Sequence, residues 1–185
     1  MSKTLPSYTS GTAEKPLLGM TIGEMLDRTA AKYPDNEALV CLHQDIRWTY
    51  KEFVEKVDEA ARAFMAIGVK RGDRVGIWSP NRYEWTVTQF ATAKVGAILV
   101  NINPAYGVHE LQYALNLAGI TTLVTADSFK ASNYREMIYE LAPELKRSAP
   151  GKLKADHVPE LRAVINVHED KHDGMWTWEE FLGFS

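Results

Sequence analysis

Lys94-Val-Gly-Ala-Ile-Leu-Val-Asn-Ile-Asn-Pro-Ala-Tyr106 is the stretch of sequence that decides the fold. Gly96 is expected to end a helix, because glycine tolerates the left-handed conformation that closes helices. The apolar run 97–102 predicts a buried strand, and Pro104, which has no amide hydrogen, ends it. This pattern favours a central strand of a parallel sheet. Ligands of open α/β sheets bind just beyond the carboxyl ends of the strands, so a site is expected in the residues that follow.

Strands and helices alternate along the rest of the chain. A glutamate follows Thr21, Thr49 and Thr177 by three residues, and this capping-box spacing is typical of a helix start. Strands are predicted over residues 37–42, 45–48, 74–78, 97–102, 121–125 and 161–167, with helices between most of them. Repeated strand–helix units with short connections predict an α/β fold with a mostly parallel, doubly wound sheet flanked by helices.

Several side chains have an expected place in this fold. The first helix is expected to bury one face, formed by Ile22, Met25, Leu26 and Ala30. The helix after strand 74–78 is expected to begin with Ser79 as its cap and Pro80 in its first position, and to run to about Val95. Cys41 lies in an apolar stretch and is expected to be a small core residue rather than a reactive thiol.

The composition argues against several classes of protein. Of the 185 residues, 45% are hydrophobic and 24% are charged, which is typical of one globular domain. The net charge of -3 and the lack of a basic stripe with interleaved aromatic residues argue against nucleic acid as a partner. Cys41 is the only cysteine, so no internal disulfide is expected, and no apolar run is long enough to span a bilayer. Residues 1–19 lack the apolar core of a signal peptide, and we expect a reducing, cytoplasmic setting.

The composition also divides the chain into an arm and one α/β unit. Residues 1–18 are rich in Ser, Thr, Pro and Gly and are expected to form a flexible arm. Within the arm, residues 8–16 have the composition of a phosphate-binding loop, but no strand precedes them and the Gly-Lys-Ser/Thr ending is missing. Residues 19–185 are expected to form the α/β unit, in which residues 143–159, with three prolines, are predicted to be a surface loop or insertion.

Polar residues near the predicted strand ends offer few recognisable catalytic patterns. No Gly-x-Gly-x-x-Gly or Gly-x-Ser-x-Gly motif is present. His168 and His172 have a spacing found in metal sites, but their charged surroundings favour a solvated turn. Asp127 follows a strand, and capping of the next helix is favoured over contact with a ligand. Asn101 and Asn103 lie on one face of a strand end, where they either satisfy loop amides or contact a polar ligand.

Two segments and their spacing resemble the adenylate-forming enzymes. Trp48-Thr-Tyr-Lys-Glu-Phe53 is similar to the first core motif of that family, and Thr92-Ala-Lys-Val-Gly-Ala-Ile-Leu-Val-Asn-Ile-Asn-Pro104 to the second. Gly72-Asp-Arg-Val75 and Ser79-Pro-Asn81 stand between them in the family's order. The details, including Asn103-Pro-Ala-Tyr106, resemble fatty-acyl-CoA synthetases more than amino-acid-activating domains. The resemblance runs from about Pro16 to the end of the chain.

The resemblance implies an activity that needs more than this chain. Members of the family use MgATP to convert a carboxylate to an acyl-adenylate, with release of pyrophosphate, and then transfer the acyl group to the thiol of CoA. The family's phosphate loop, adenine-binding segment and mobile C-terminal domain follow the matched region and are absent here. The chain therefore resembles an incomplete part of the large N-terminal domain of an AMP-forming fatty-acyl-CoA synthetase. We expect the 185-residue chain alone to be inactive and to bind none of ATP, Mg²⁺ and CoA tightly.

The resemblance also implies a candidate site. Loops at these positions in related enzymes approach CoA, so Asn103, Pro104, Ala105, Tyr106 and Lys130 are predicted to form a rim of the CoA path. Catalytic and metal-binding residues are expected outside this chain, and the length of the acyl substrate is not encoded here.

Two other functions fit the same fold. They are a non-catalytic α/β binding or interaction domain and a small flavodoxin-like binder. Self-association is a further expectation, because a sheet that is only part of a larger one exposes an edge or an apolar face.

Overall fold

The computed structural model describes residues 11, 14 and 17–185, so most of the predicted arm and of the loop-like stretch 8–16 lies outside the described residues. Six α-helices are described: α1 Ile22–Lys32, α2 Tyr50–Ala66, α3 Tyr83–Val95, α4 Val108–Ala118, α5 Tyr134–Leu141 and α6 Trp178–Leu182. The described strands are β1 Glu37–Cys41, β2 Ile46–Thr49, β3 Arg74–Trp78, β4 Ile98–Asn101, β5 Ile120–Thr125, β6 Ser128–Phe129, β7 Ser132–Asn133, β8 Ala163–Asn166 and β9 Trp176–Thr177. Short 3₁₀ helices cover Leu42–Gln44 and Pro143–Arg147.

Five strands form one parallel sheet in the order β4-β3-β5-β8-β9. The chain steps from β3 outward to β4 and then returns past β3 to β5, so right-handed crossovers place α3 and α4 on opposite faces. Helices α1, α2 and α6 pack with α3 or with one another, whereas α4 packs with α5. The predicted α/β class with a mostly parallel, doubly wound sheet flanked by helices is confirmed. The antiparallel pairs β1–β2 and β6–β7 lie outside the main sheet.

The prediction that the decisive strand is central is wrong within the described residues. Of the strands that the structure describes, only β3 pairs with β4, which therefore lies at one side edge of the sheet, and Ile98 is 53% exposed. Apolar composition indicates that a strand is packed against other elements. The position of the strand in the sheet depends instead on the direction of each crossover connection. The left-handed Gly96 after α3, with φ of 79°, agrees with the expected helix end.

Three helices begin as the sequence predicts. Thr21, Thr49 and Thr177 each form the complete capping box, in which the threonine accepts from a backbone amide and the glutamate accepts in return. Helix α3 differs, because it begins at Tyr83 rather than next to Ser79. The Ser79 hydroxyl instead donates to the carbonyl oxygen of Pro80, at 2.9 Å.

The first helix buries a narrower face than its spacing suggests. Leu26 and Ala30 are buried, but Ile22 and Met25 are 55% and 42% exposed. Ion pairs add to the packing of this helix. The Lys94 Nζ of α3 lies 2.5 Å from the Asp27 carboxylate of α1 and 2.5 Å from the Asp58 carboxylate of α2. Burial alone lowers the pKa of Lys94, but its hydrogen bonds to these two carboxylates outweigh burial and raise it. Lys94 therefore joins three helices that share one face of the sheet.

The predicted core position of Cys41 is also wrong. Its side chain is only half-buried, and its thiol lies 3.1 Å from Gln44 Oε1. The neighbouring Leu42 is 81% exposed. The β1–β2 hairpin is not part of the main sheet. Only one of its faces packs against the rest of the protein, so some of its apolar side chains stay exposed.

Segment 143–159 contains no α-helix or strand, but it contributes to the core. Four of its apolar side chains are at most 4% exposed: Leu145, Leu153, Ala155 and Val158. None of the described helices is both long enough and apolar enough to cross a bilayer.

Candidate functional site

The carboxyl ends of the strands meet at one edge of the sheet, as parallel pairing requires. The residues just after β3, β4, β5 and β8 are Ser79, Ile102, Ala126 and Val167. Backbone hydrogen bonds link neighbouring strand ends, including the Ala126 amide to the Trp78 carbonyl at 3.2 Å and the Val167 amide to the Thr125 carbonyl at 2.9 Å. Two zones lie along this edge, a turn with a hairpin beside it and a polar cavity.

The first zone is the turn after β4, residues 103–106. The Asn103 side-chain oxygen accepts from the Ala105 amide at 2.9 Å, and the Asn103 carbonyl accepts from the Tyr106 amide at 3.1 Å. Of the two readings of this asparagine, satisfaction of a loop amide is therefore observed. Asn103 and Ala105 are exposed, while Pro104 and Tyr106 are half-buried.

Two buried aromatic residues donate hydrogen bonds to this turn. Trp78 Nε1 donates to the Asn103 carbonyl at 3.1 Å, and the Tyr134 hydroxyl donates to the Pro104 carbonyl at 2.5 Å. The two rings stack, with centroids 3.5 Å apart and planes 11° apart. Both side chains are fully buried, and burial raises the pKa of the Tyr134 hydroxyl to about 12. Tyr134 is therefore a neutral hydrogen-bond donor at physiological pH.

Lys130 lies in the hairpin between β6 and β7. It adopts a left-handed conformation, with φ of 53°, and it is exposed. Its ammonium group lies 5.2 Å from the centroid of the Phe129 ring. The Tyr134 amide donates to the Asp127 carbonyl at 2.8 Å and closes the base of this hairpin. Both parts of the predicted rim, 103–106 and Lys130, are thus attached to Tyr134.

A polar cluster lies beside the hairpin, around Asp127. The Asp127 carboxylate accepts from Asn166 Nδ2 at 2.7 Å and lies 3.0 Å from His172 Nε2 and 3.8 Å from His168 Nδ1. The prediction that Asp127 caps the next helix is wrong, because Asn133 caps α5 instead. The prediction of a solvated turn is wrong for His172, whose side chain is only 8% exposed. Sequence spacing could not show that this carboxylate lies across the sheet edge from the two histidines.

The second zone is a cavity of about 520 Å³ between the start of α3 and the loop after β8. Its buried wall is a network around Glu84, which is 2% exposed. The Glu84 carboxylate accepts from Gln44 Nε2 at 3.0 and 3.2 Å and from the Arg82 guanidinium at 3.1 and 3.2 Å. Gln44 Oε1 also accepts from the Tyr83 amide at 2.9 Å, which satisfies the first backbone amide of α3. Burial, and then the nearby Glu84 charge, raise the pKa of Tyr83 to about 12.

The arrangement can bind a polar ligand at the sheet edge. Lys130 offers an exposed cation, and residues 103–106 offer a rigid turn. Within the described part of the chain, no group of three or more His, Cys, Asp or Glu side chains could hold a metal ion. Nothing in the sequence marks the supporting residues Gln44, Trp78 and Tyr134 as part of a site, because their hydrogen-bond partners are distant along the chain.

Comparison with known proteins gives a consistent result. A model of the family described as AMP-binding enzyme matches residues 26–179. The medium-chain acyl-CoA ligase ACSF2, mitochondrial, of Mus musculus is 44% identical over 161 residues, which are 87% of this chain and 26% of that protein. Its Danio rerio counterpart is 43% identical over 176 residues, which are 95% of this chain and 29% of that protein. The chain therefore spans little more than a quarter of the length of these curated relatives.

A solved structure agrees in fold. The Mycobacterium tuberculosis fatty acyl CoA synthetase superimposes with a TM-score of 0.67 and 25% sequence identity. The match covers 79% of this chain and 26% of that one.

Proposed function

The chain belongs to the AMP-binding enzyme family, and we propose on that premise that it is the N-terminal part of an AMP-forming acyl-CoA ligase. The full-length enzyme activates a fatty acid with ATP, supplied as its Mg²⁺ complex, to an acyl-adenylate and pyrophosphate. It then transfers the acyl group to the CoA sulfur, and AMP leaves. The observation that carries this proposal is the family match over residues 26–179 together with 44% identity to a medium-chain acyl-CoA ligase. Medium-chain fatty acids are accordingly the first substrates to test.

The residues of this chain contribute binding rather than bond-making in this proposal. Asn103, Pro104, Ala105 and Tyr106 form one part of a rim along the CoA path, and Lys130 forms the other. Lys130 is an exposed cation on a hairpin at the ligand-binding edge of the sheet, where it can meet a CoA phosphate as a point charge. The connection of both parts through Tyr134 supports their assignment to one rim.

Exchange of Lys130 for alanine in the full-length enzyme tests the rim. We expect the KM for CoA to rise about 1.4- to fivefold with the KM for ATP unchanged, because one exposed charge contributes about 0.2–1 kcal/mol. Lys146→Ala is the matched control, since Lys146 is also an exposed cation over an aromatic ring, at 4.7 Å from the Tyr139 centroid. An unchanged KM for CoA in the Lys130→Ala enzyme would remove Lys130 from the site.

The 185-residue chain by itself is proposed to be inactive. The family's phosphate loop and mobile C-terminal domain are implied to lie outside it, and it spans 26% of a curated relative. A pyrophosphate-release assay with ATP, CoA and fatty acids of 6–18 carbons tests both this statement and the ligase proposal. We expect turnover from the full-length protein and none from the chain. Turnover by the chain would contradict its inactivity, and no turnover by the full-length protein would favour the non-catalytic binding domain.

The cytoplasmic location and the self-association of the chain stay predictions. Among the described residues, strand β4 presents a free edge and an Ile98 side chain that is 53% exposed, which favours association between copies of the isolated chain. Sedimentation at increasing concentration tests this association, and a monomer at the highest concentration would contradict it.

Imaging of the tagged full-length protein tests the cytoplasmic location. The name of the ACSF2 relatives gives the mitochondrion as the alternative location.

A further inference from the structure

We infer that Trp78 and Tyr134 are positioning residues, which fix the conformation of the turn 103–106 and join it to the Lys130 hairpin. Their effect on CoA binding rests on the proposed function, whereas their effect on the turn does not. Three features of the structure lead to this inference.

The first feature is that two side-chain donors meet two consecutive carbonyls of the turn. Trp78 Nε1 lies 3.1 Å from the Asn103 carbonyl oxygen, and the Tyr134 hydroxyl lies 2.5 Å from that of Pro104. The turn has its own internal hydrogen bonds, from the amides of Ala105 and Tyr106. The carbonyls of Asn103 and Pro104 and the amides of Ala105 and Tyr106 therefore all have hydrogen-bond partners. We infer that these bonds hold the turn in one conformation.

The second feature is that the two donors are fully buried and belong to regular elements of the fold. Trp78 ends the parallel strand β3 and Tyr134 begins α5, and both side chains are 0% exposed. Their stacked rings, with centroids 3.5 Å apart, restrict each other's rotation. A binding group that is held by rigid elements keeps its geometry better than one on a free loop.

The third feature is the double attachment of Tyr134. Its hydroxyl holds the turn after β4, and its backbone amide holds the Asp127 carbonyl at the base of the Lys130 hairpin. The two parts of the proposed rim therefore share one residue, although they are separated by more than twenty positions in the sequence. A change in the Tyr134 side chain frees one part and leaves the other in place.

Tyr134→Phe isolates the effect of the hydroxyl, because it keeps the ring and its stack. In the 185-residue chain, we expect hydrogen exchange of the Ala105 and Tyr106 amides to become at least fivefold faster. Tyr139→Phe is the matched control: it removes a hydroxyl from the same helix that also donates to a backbone carbonyl, that of Asp173 at 3.0 Å, away from the turn. Trp78→Phe removes the other donor and should accelerate the same two amides.

The full-length enzyme tests the consequence for the reaction. In the Tyr134→Phe enzyme we expect the KM for CoA to rise about fivefold, the effect of one hydrogen bond. The rate of ATP–pyrophosphate exchange, which reports acyl-adenylate formation alone, should stay within twofold of the wild-type value. The Tyr139→Phe enzyme should match the wild type in both measurements.

The outcomes separate the inference from the proposed function. Unchanged exchange at Ala105 and Tyr106 in Tyr134→Phe, or an equal acceleration in Tyr139→Phe, overturns the positioning role. Faster exchange with an unchanged KM for CoA overturns the link between the turn and CoA. A wild-type enzyme that forms no acyl-CoA refutes the proposed function, and the exchange measurements still decide the positioning role.

Discussion

Replacement of Gln44 by alanine tests whether the hairpin loop between β1 and β2 supports the start of α3. Helix α3 begins without a capping side chain from its own preceding residues. Gln44, which lies 39 positions earlier, instead accepts from the Tyr83 amide and donates to the buried Glu84 carboxylate. The substitution removes both interactions at once.

The expected loss follows from these two interactions. An amide acceptor at a helix start is worth about 1 kcal/mol. A hydrogen bond to a charged group is worth about 1.5–3 kcal/mol, and the lower end applies because Arg82 still pairs with Glu84. The free energy of unfolding should therefore fall by about 2.5 kcal/mol, which corresponds to a decrease in Tm of about 5–10 °C for a chain of this size.

Urea unfolding followed by tryptophan fluorescence measures this change. Gln89→Ala is the control, because Gln89 is an exposed glutamine of the same helix, and it should change the free energy of unfolding by less than about 0.5 kcal/mol. A loss below about 0.5 kcal/mol for Gln44→Ala, with an unchanged dependence on urea, would refute the supporting role of Gln44.

Three further predictions concern the core, a close backbone contact and alkaline pH. Leu145→Ala should lower the free energy of unfolding by about 2–4 kcal/mol, because the Leu145 side chain is 1% exposed and its truncation leaves a cavity. Chemical denaturation measures this change, and a near-neutral result would show that segment 143–159 is not part of the core. Gly174→Ala should lower the midpoint of thermal unfolding more than Gly19→Ala, because a Cβ at Gly174 lies 2.1 Å from the Leu145 carbonyl oxygen and φ is +73°, whereas a Cβ at Gly19 meets nothing within 4 Å. Burial raises the pKa of the Tyr83 and Tyr134 hydroxyls to about 12, so the folded state favours their protonated forms, and their contribution to stability is complete below about pH 10 and lost between about pH 10 and 12. Absorbance titration at 295 nm should show at least two late-titrating tyrosines, because burial also raises the pKa of Tyr139. Titration of every tyrosine near pH 10 before unfolding would contradict their burial.

The sequence predicts the elements of this fold better than their arrangement. Threonine followed three residues later by glutamate identifies three helix starts, because both partners of a capping box are local. Strand β3 has its predicted bounds, since Gly72 and Ser79 flank a short apolar run. The edge position of β4 was missed, because the order of strands depends on the direction of each crossover and not on the composition of the strand.

The candidate site was predicted in part for the same reason. Parallel pairing implies that the strand ends share one edge, and they do. The contacts that shape the site join residues far apart in the chain, such as Gln44 with Glu84 and Asp127 with His172. Neither residue of such a pair carries a local sign of its partner, so the sequence predicts for Asp127 a helix cap that Asn133 provides instead.

The stack of Trp78 on Tyr134 also makes the turn observable in solution without any label. Two chromophores whose ring planes lie 11° apart at a centroid separation of 3.5 Å couple their electronic transitions, and excitation of the tyrosine passes to the tryptophan. The near-ultraviolet circular dichroism of the chain therefore carries a signal from the residues that hold Asn103 and Pro104. A ligand that shifts the turn should change this signal, so the chain contains an optical reporter of its own candidate site.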